Sequence, residues 1–247
     1  MSVTYLLIDN SNTRTKFILS SADALHDERR MIPTREVNEE SLEILLSELD
    51  YDAVVVCSVV PRVAEMLKSV IKKPCHFLSS TSKLGVGIDY PNPRQIGADR
   101  LANAAGAVTK YGAPCIVVDF GTAVTFDVID NNRNYLGGVI APGLASMGDY
   151  LARNTALLPA IDPREPKHAI GKSTVEAMHS GAVYGYRGLV KEILFQLESE
   201  LDSPPIVIAT GGDAELIAKG VSRIDYVDQN ITLNGLRTIA VDNLPLS

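Results

Sequence analysis

Cys115-Ile116-Val117-Val118-Asp119-Phe120-Gly121-Thr122-Ala123-Val124-Thr125-Phe126 is the stretch on which the reading of the fold turns. The apolar run from Cys115 to Val118 predicts a buried strand. It ends on an acid, Gly121 allows a tight turn, and a small hydroxyl residue follows. Val124, Phe126 and Val128 then alternate with polar residues, which predicts a second strand folding back as a hairpin. Such a turn offers backbone N–H groups and hydroxyls to phosphate oxygens, and Asp119 can face a cation. From this segment alone an ordinary strand-turn-strand with a surface aspartate reads equally well, because short motifs match often by chance.

The same pattern occurs near the start of the chain. Tyr5-Leu6-Leu7-Ile8 leads to Asp9, Asn10-Ser11-Asn12-Thr13 makes a polar turn, and Arg14-Thr15-Lys16-Phe17-Ile18-Leu19 alternates back out. Two related half-sites facing each other across a cleft would hold a polyphosphate and its metal from both sides. That repetition favours a phosphate site over two unrelated hairpins.

Composition narrows the classes. With 247 residues, 46% of them apolar and 21% charged, the chain suits a soluble protein with a substantial core. A net charge of -7 argues against nucleic acid as the main partner. The three cysteines, Cys57, Cys75 and Cys115, show no metal-ligand spacing and read as core thiols in a reducing compartment. No secretory signal and no apolar run of membrane-spanning length is visible, so a cytoplasmic protein without a membrane partner is expected.

Outward from the two hairpins, Ser21 to Glu36 is mixed in charge and reads as a loop with a short strand. Asn38, with Ser41 as a rival, caps a helix starting near Glu39. Ala53 to Ser58 is a strand buried on both faces, Pro61 starts a helix, and Cys75 to Leu78 is a short strand. Pro91, Pro93 and Gly97 fix a turn-rich loop, and a helix runs from about Ala98 to Lys110. Asp99 and Arg100 fall in its first turn, where the helix dipole favours an ionised Asp99. Helix-start chemistry and an exposed charge are the plain readings of those two residues. Tyr90, Gly97, Asp99 and Arg100 gathered beside one rigid loop read better as a site.

Beyond the central hairpin, Tyr135 to Ile140 continues as a strand, with Gly137 and Gly138 marking close backbone approach or a bulge. Ser146 to Asn154 is a helix, and Leu157 to Ser173 is a loop that could serve as a lid or an interface. Thr174 to about Leu201 is a long helical region interrupted by Gly181, Gly185 and Gly188, read as a kinked core helix or a dimer face. Pro204 to Ala209 leads a strand into Thr210-Gly211-Gly212-Asp213, with N–H groups placed where a nucleotide could sit. Asp225 to Ile231 returns toward the surface, and Leu233 to Ile239 is a final helix.

These residues resemble the type III pantothenate kinases, of the acetate and sugar kinase, Hsp70 and actin superfamily, over nearly the whole chain. Tyr90-Pro91-Asn92-Pro93 through Gly97-Ala98-Asp99-Arg100 is the most specific block. Asp119 to Thr125 matches the second phosphate motif, and Gly137-Gly138, Pro142-Gly143, Thr210 to Asp213 and Leu233 to Leu236 follow in the family's order. The resemblance implies an α/β fold of two ribonuclease-H-like (actin-like ATPase) domains flanking a nucleotide cleft. The expected division is 1–112 and 113–247, with the last helix packing back on the first domain.

It also implies a homodimer that phosphorylates pantothenate to 4'-phosphopantothenate, the first step toward coenzyme A, using ATP with Mg2+ and a monovalent cation, K+ or NH4+. By position, Asp9, Asn10, Ser11, Asn12, Thr13, Arg14, Thr15 and Lys16 resemble the first ATP loop, with Asp9 near the magnesium. Thr122 resembles an ATP contact and Asp119 the monovalent-cation ligand. Tyr90, Gly97, Ala98, Asp99, Arg100 and Thr174 resemble the pantothenate site, Thr174 lying near the partner subunit. Asp99 resembles the general base, and a carboxylate of ordinary pKa would suffice for that role.

Asn10 and Ser11 stand where the family usually has an apolar residue and a glycine. A side chain at Ser11 would either restrict close approach to phosphate or add a phosphate contact through its hydroxyl. A kinase or phosphatase for another small molecule, and a non-catalytic nucleotide-binding regulatory protein, are the alternative functions. Asp9, Asp99 and Asp119 together argue for catalysis, since a pure binding module needs no base.

Overall fold

The structure, a computed structural model, describes residues 3–244. These divide into two compact units. One runs to Gly112 and adds Arg133–Tyr135 and the chain from Asn230 onward; the other is Ala113–Asn132 with Leu136–Gln229.

The first unit is built on a five-stranded sheet of order β3-β2-β1-β4-β5. Its strands are β1 (Tyr5–Asn10), β2 (Arg14–Ser20), β3 (Leu25–Pro33), β4 (Ala53–Ser58) and β5 (Cys75–Phe77). β1 pairs antiparallel with β2 and parallel with β4. One face carries Leu6, Ile8, Phe17, Val54 and Val56, which pack with Leu42, Leu46, Val63 and Leu67 of α1 (Glu39–Ser47) and α2 (Pro61–Val70). Asn38 and Ser41 cap α1 reciprocally, at 2.9 and 3.1 Å, so the two rival caps are partners in one capping box. Alternation along β1 sends Asp9 to the opposite face, which α3 (Ala98–Tyr111) and α7 (Ile231–Asn243) cover.

Nearly every residue of α3 from Leu101 to Val108 is small and buried, which lets α7 lie close against it. A Cβ on Gly106 would run into the carbonyl of Ile231, and one on Gly235 into that of Ala102. Thr232 Oγ1 adds a 2.6 Å hydrogen bond to Asn103 Oδ1. Leu233-Asn234-Gly235-Leu236 is therefore a helix-crossing motif.

The second unit carries β7 (Cys115–Phe120), β8 (Ala123–Ile129), β9 (Asn134–Pro142), β10 (Ile206–Gly211) and β11 (Tyr226–Val227), in the order β11-β10-β7-β8-β9. The β7–β8 hairpin pairs Asp119 with Thr125, and parallel β10 sets Thr210 beside Asp119. Ile116, Val118, Phe120, Val124, Phe126, Val207 and Ala209 face α5 (Thr174–Ser199) and α6 (Ala214–Ala218) and form the core. Alternation puts Asp119, Thr125, Asp127 and Thr210 on the other face. α4 (Leu144–Asn154) follows β9. β6 (Gly87–Ile88) pairs with Asn134 and Tyr135, the start of β9, which belong to the first unit.

Four elements differ from expectation. The stretch read as a loop with a short strand holds a nine-residue strand, β3, and a 3-10 turn at Thr34–Glu36. β3 is an exposed edge strand, so no buried alternation marks it in the sequence. α5 runs unbroken for 26 residues through its three glycines, each of which faces open space within the chain. The segment after Asp225 adds β11 to the sheet edge and does not simply return to the surface. β6, only two residues long, carries no sequence signal. Cys57 and Cys115 are core thiols as expected, and burial pushes the Cys115 thiol up to about 12.

Candidate active site

In the first unit the β1–β2 turn carries the first loop. Asp9 is 4% exposed, and its Oδ2 receives Lys16 Nζ at 2.9 Å from the directly opposed position on β2. Asn10 points to the other side of the strand. It is 1% exposed, its Nδ2 donates to Thr15 Oγ1 at 2.7 Å, and its Oδ1 accepts from Ser58 Oγ at 2.6 Å. Ser11 closes the turn internally: its N–H and its hydroxyl both donate to Arg14 O, at 3.1 and 3.0 Å. Among the described residues only Arg133 is a non-glycine with positive φ, so the backbone at Ser11 does not demand glycine. Asn12, Thr13 and Arg14 are exposed and line, with Pro33 and Arg35, a concavity of about 450 Å³.

The first turn of α3 lies over the Asp9 face. Asp99 Oδ1 accepts the Arg100 N–H at 2.9 Å, folding the carboxylate back over the start of the helix. Gly97 makes room for it, since a Cβ there would sit 2.5 Å from that oxygen. Burial pushes the Asp99 pKa up, and the nearby charge of Asp9 adds to the rise. The Arg100 N–H and guanidinium hold it back only in part. Two carboxylates thus share a poorly solvated place.

Tyr135, fully buried, supports the Tyr90–Arg100 block. The Arg100 guanidinium lies 5.7 Å from its ring centroid, and Tyr90 meets its ring edge-on at 6.4 Å. The Asp89 N–H donates to Tyr135 O at 3.0 Å, so the same residue also anchors the loop backbone. Sequence reading missed Tyr135 as a site residue, because an aromatic at the start of a strand looks like core. Ala98 is buried, leaving its backbone as the part that could meet a ligand.

In the second unit Asp119 lies at the end of β7 between Thr125 and Thr210. Gly211 is at φ +92, and a Cβ on it would come within 2.7 Å of Asp119 Oδ1. The glycine after Thr210 therefore clears the Asp119 carboxylate. The helix that follows Gly-Gly, α6, starts at Ala214 and is five residues long. The Gly121-Thr122 turn rests on Gly143: the Gly143 N–H donates to Thr122 O at 3.1 Å, and Ser146 Oγ does so at 3.3 Å. Thr122 is exposed just ahead of α4.

Thr174 opens α5, where the Ser173 hydroxyl accepts the Glu176 N–H at 3.2 Å. It lines an apolar groove of about 910 Å³ with Met147, Tyr150, Leu151, Met178 and Gly181. The 155–173 loop is fastened along its length. Arg187, 7% exposed, pairs with Glu165 through two hydrogen bonds of 3.0 and 2.6 Å. Ser180 Oγ donates to His168 O at 3.0 Å.

Asp9 to Lys16, Tyr90 and Gly97 to Arg100 thus belong to the first unit, and Asp119, Thr122 and Thr174 to the second. A family model described as type III pantothenate kinase matches residues 5–196. A protein named type III pantothenate kinase from Akkermansia muciniphila is 74% identical over 242 residues, covering 98% of this chain and 100% of its own. The chain belongs to the type III pantothenate kinase family.

Solved structures show the fold alone. A Campylobacter jejuni protein assigned to the Baf family of transcriptional activators aligns at TM-score 0.67 and 21% identity, over 98% of this chain and 100% of that one. An inorganic polyphosphate/ATP-glucomannokinase from Arthrobacter aligns at TM-score 0.53 and 14% identity, over 97% and 99%. Such neighbours agree with the α/β fold of two actin-like domains expected from the sequence.

Two features of the site bear on cations. Among the described residues no three His, Cys, Asp or Glu side chains gather to hold a metal alone. Asp9 beside Asp99 is a pair of like charges that a cation would relieve, and magnesium commonly takes one or two carboxylates and completes its shell with substrate phosphates and water. Among the described residues, no helix is long and apolar enough to cross a membrane.

Proposed function

We propose that this chain transfers the γ-phosphoryl group of ATP to the primary hydroxyl of pantothenate, with Asp99 as general base. What supports the role of Asp99 is its buried place at the start of α3 beside Asp9, its Oδ1 held on the Arg100 N–H at 2.9 Å, where burial raises its pKa. A more basic carboxylate is better suited to accept the hydroxyl proton as the oxygen attacks phosphorus. Arg100, held over Tyr135, pairs with the pantothenate carboxylate, and Tyr90 flanks the substrate. The Asp9–Lys16 turn and Thr122 bind the triphosphate, with the buried Asn10 and Thr15 side chains supporting the turn from behind.

Magnesium at Asp9 and a monovalent cation at Asp119 supply charge neutralisation when bound. We further assign a homodimer to the α4–α5 face. Gly181, Gly185 and Gly188 form a stripe there with nothing of their own chain above it, and Met147, Tyr150 and Tyr184 are exposed beside it. Thr174, at the edge of that face, would serve the pantothenate of the partner subunit.

The test is ADP release by purified protein with Mg2+ and ATP, with and without pantothenate, and with K+ exchanged for Na+. Release that requires pantothenate and rises with K+ is expected. Absence of pantothenate-dependent release from folded protein would refute the reading.

A further inference from the structure

Thr34 lies outside every motif in the sequence, yet its hydroxyl and its N–H both grip the first phosphate loop. Its hydroxyl donates to Ser11 O at 2.7 Å, and its N–H donates to Thr13 O at 3.0 Å. Its own carbonyl accepts from Arg62 Nη2 at 3.0 Å, tying the residue to the first turn of α2. Arg62 Nη1 holds Val37 O as well, at 2.9 Å. Thr34 is 3% exposed, so these bonds form away from water.

The hydroxyls and the amide make one directed chain. Thr34 gives its single proton to Ser11 O, so Thr15 Oγ1, 3.0 Å away, donates to Thr34 Oγ1. Thr15 in turn accepts from Asn10 Nδ2 at 2.7 Å, and Asn10 Oδ1 accepts from Ser58 Oγ at 2.6 Å. Each donor in the sequence Ser58, Asn10, Thr15, Thr34 polarises the next, which strengthens buried hydrogen bonds over isolated ones. A trans peptide points its carbonyl and its N–H to opposite sides. With Ser11 O and Thr13 O drawn onto Thr34, the N–H groups of Asn12 and Arg14 point away from Thr34.

We propose that Thr34 is a positioning residue for the phosphoryl donor, acting through the Ser58–Asn10–Thr15–Thr34 chain to hold the Ser11–Arg14 turn with its N–H groups toward the phosphates. This rests on the kinase reading of the Asp9–Lys16 loop. Asn10 belongs to the support of the loop; its buried side chain lies on the face of β1 opposite Asp9. The polar residue at position 10, where the family usually has an apolar one, thus supplies the hydrogen bonds that connect β4 to the turn.

Thr34→Val keeps the shape and removes the hydroxyl. The KM for ATP and the calorimetric Kd for ATP are expected to rise about tenfold, with the KM for pantothenate within about twofold of its starting value. Thr34→Ser should restore ATP binding. A merely structural role would instead lower the active fraction and kcat at unchanged KM. Ser58→Ala, at the far end of the chain, should raise the ATP Kd about threefold and serves if Thr34→Val does not fold. Unchanged ATP Kd in folded Thr34→Val, or in Ser58→Ala where that variant alone folds, overturns the proposal. Nucleotide Kd is read without pantothenate, so wild-type protein that binds ATP but does not turn over would refute the substrate assignment and leave the Thr34 test intact.

Discussion

Lys16 Nζ sits 2.9 Å from Asp9 Oδ2, directly across the β1–β2 ladder, and the lysine side chain is 41% exposed while the aspartate is 6%. The half-exposed lysine is the counter-charge of a buried carboxylate that also feels Asp99. Lys16→Met leaves that carboxylate uncompensated. The expected cost is about 2 kcal/mol, below the range for fully buried pairs because Lys16 reaches water. Mg2+ should recover more stability in the variant than in the parent, since a cation then replaces the ammonium. Thermal melts with and without Mg2+ check this; equal Mg2+ effects on both proteins would separate Asp9 from the magnesium site.

Asp99 gives a prediction with opposite signs for stability and activity. Its folded pKa lies above its unfolded value, so keeping it ionised in the folded state costs stability. That cost sets in as pH rises from the unfolded to the folded pKa and stays in full above it. Asp99→Asn removes the charge and keeps an oxygen for the Arg100 N–H. At neutral pH the variant should melt higher than the parent, while kcat falls about a hundredfold or more. Near-normal turnover in Asp99→Asn would remove the residue from the role of base.

Gly97 tests the same carboxylate through space. A Cβ 2.5 Å from Asp99 Oδ1 must push the side chain off the helix start, because the glycine backbone is fixed by the loop ahead of α3. Gly97→Ala should reduce kcat about tenfold or more, in keeping with misplacing a reacting group, and lower the melting temperature little. Steady-state kinetics beside a melt separates the two effects.

The hairpins, Asp9, Asp119 and the α3 start were legible because each couples a period-two apolar run to a turn residue with one clear task. Thr34 was not, because its contacts come from a 3-10 turn after an edge strand whose residues face solvent and show no alternation. Gly211 and Gly235 were visible as motif glycines, but their tasks were not. One clears a carboxylate on β7 and the other a carbonyl on α3, and both neighbours are over ninety residues away in the chain. Tyr135 was hidden for the opposite reason: it is fully buried like any core residue, and only the folded chain puts Arg100 and Tyr90 on its ring.

Arg187 is the buried anchor of the 155–173 loop, and its guanidinium also donates to Leu216 O at 2.6 Å and Ile217 O at 3.3 Å. Gly220 is shaped to it, since a Cβ there would lie 2.5 Å from Arg187 Cδ. Arg187→Ala strands two carbonyls and releases Glu165, at an expected cost of about 2–3 kcal/mol. Glu165→Gln is gentler, because Glu165 is 46% exposed and the backbone bonds of Arg187 survive. The Arg187 hydrogen bonds hold the Glu165 pKa below the usual value. The contribution of the pair is therefore present above the unfolded pKa and lost as pH falls through the folded one. Proteolysis within 155–173 should accelerate in both variants at neutral pH, and in the parent only in acid. Equal cleavage rates for parent and Glu165→Gln at neutral pH would show that the loop is held by its other contacts, the Ser180 bond to His168 O first among them.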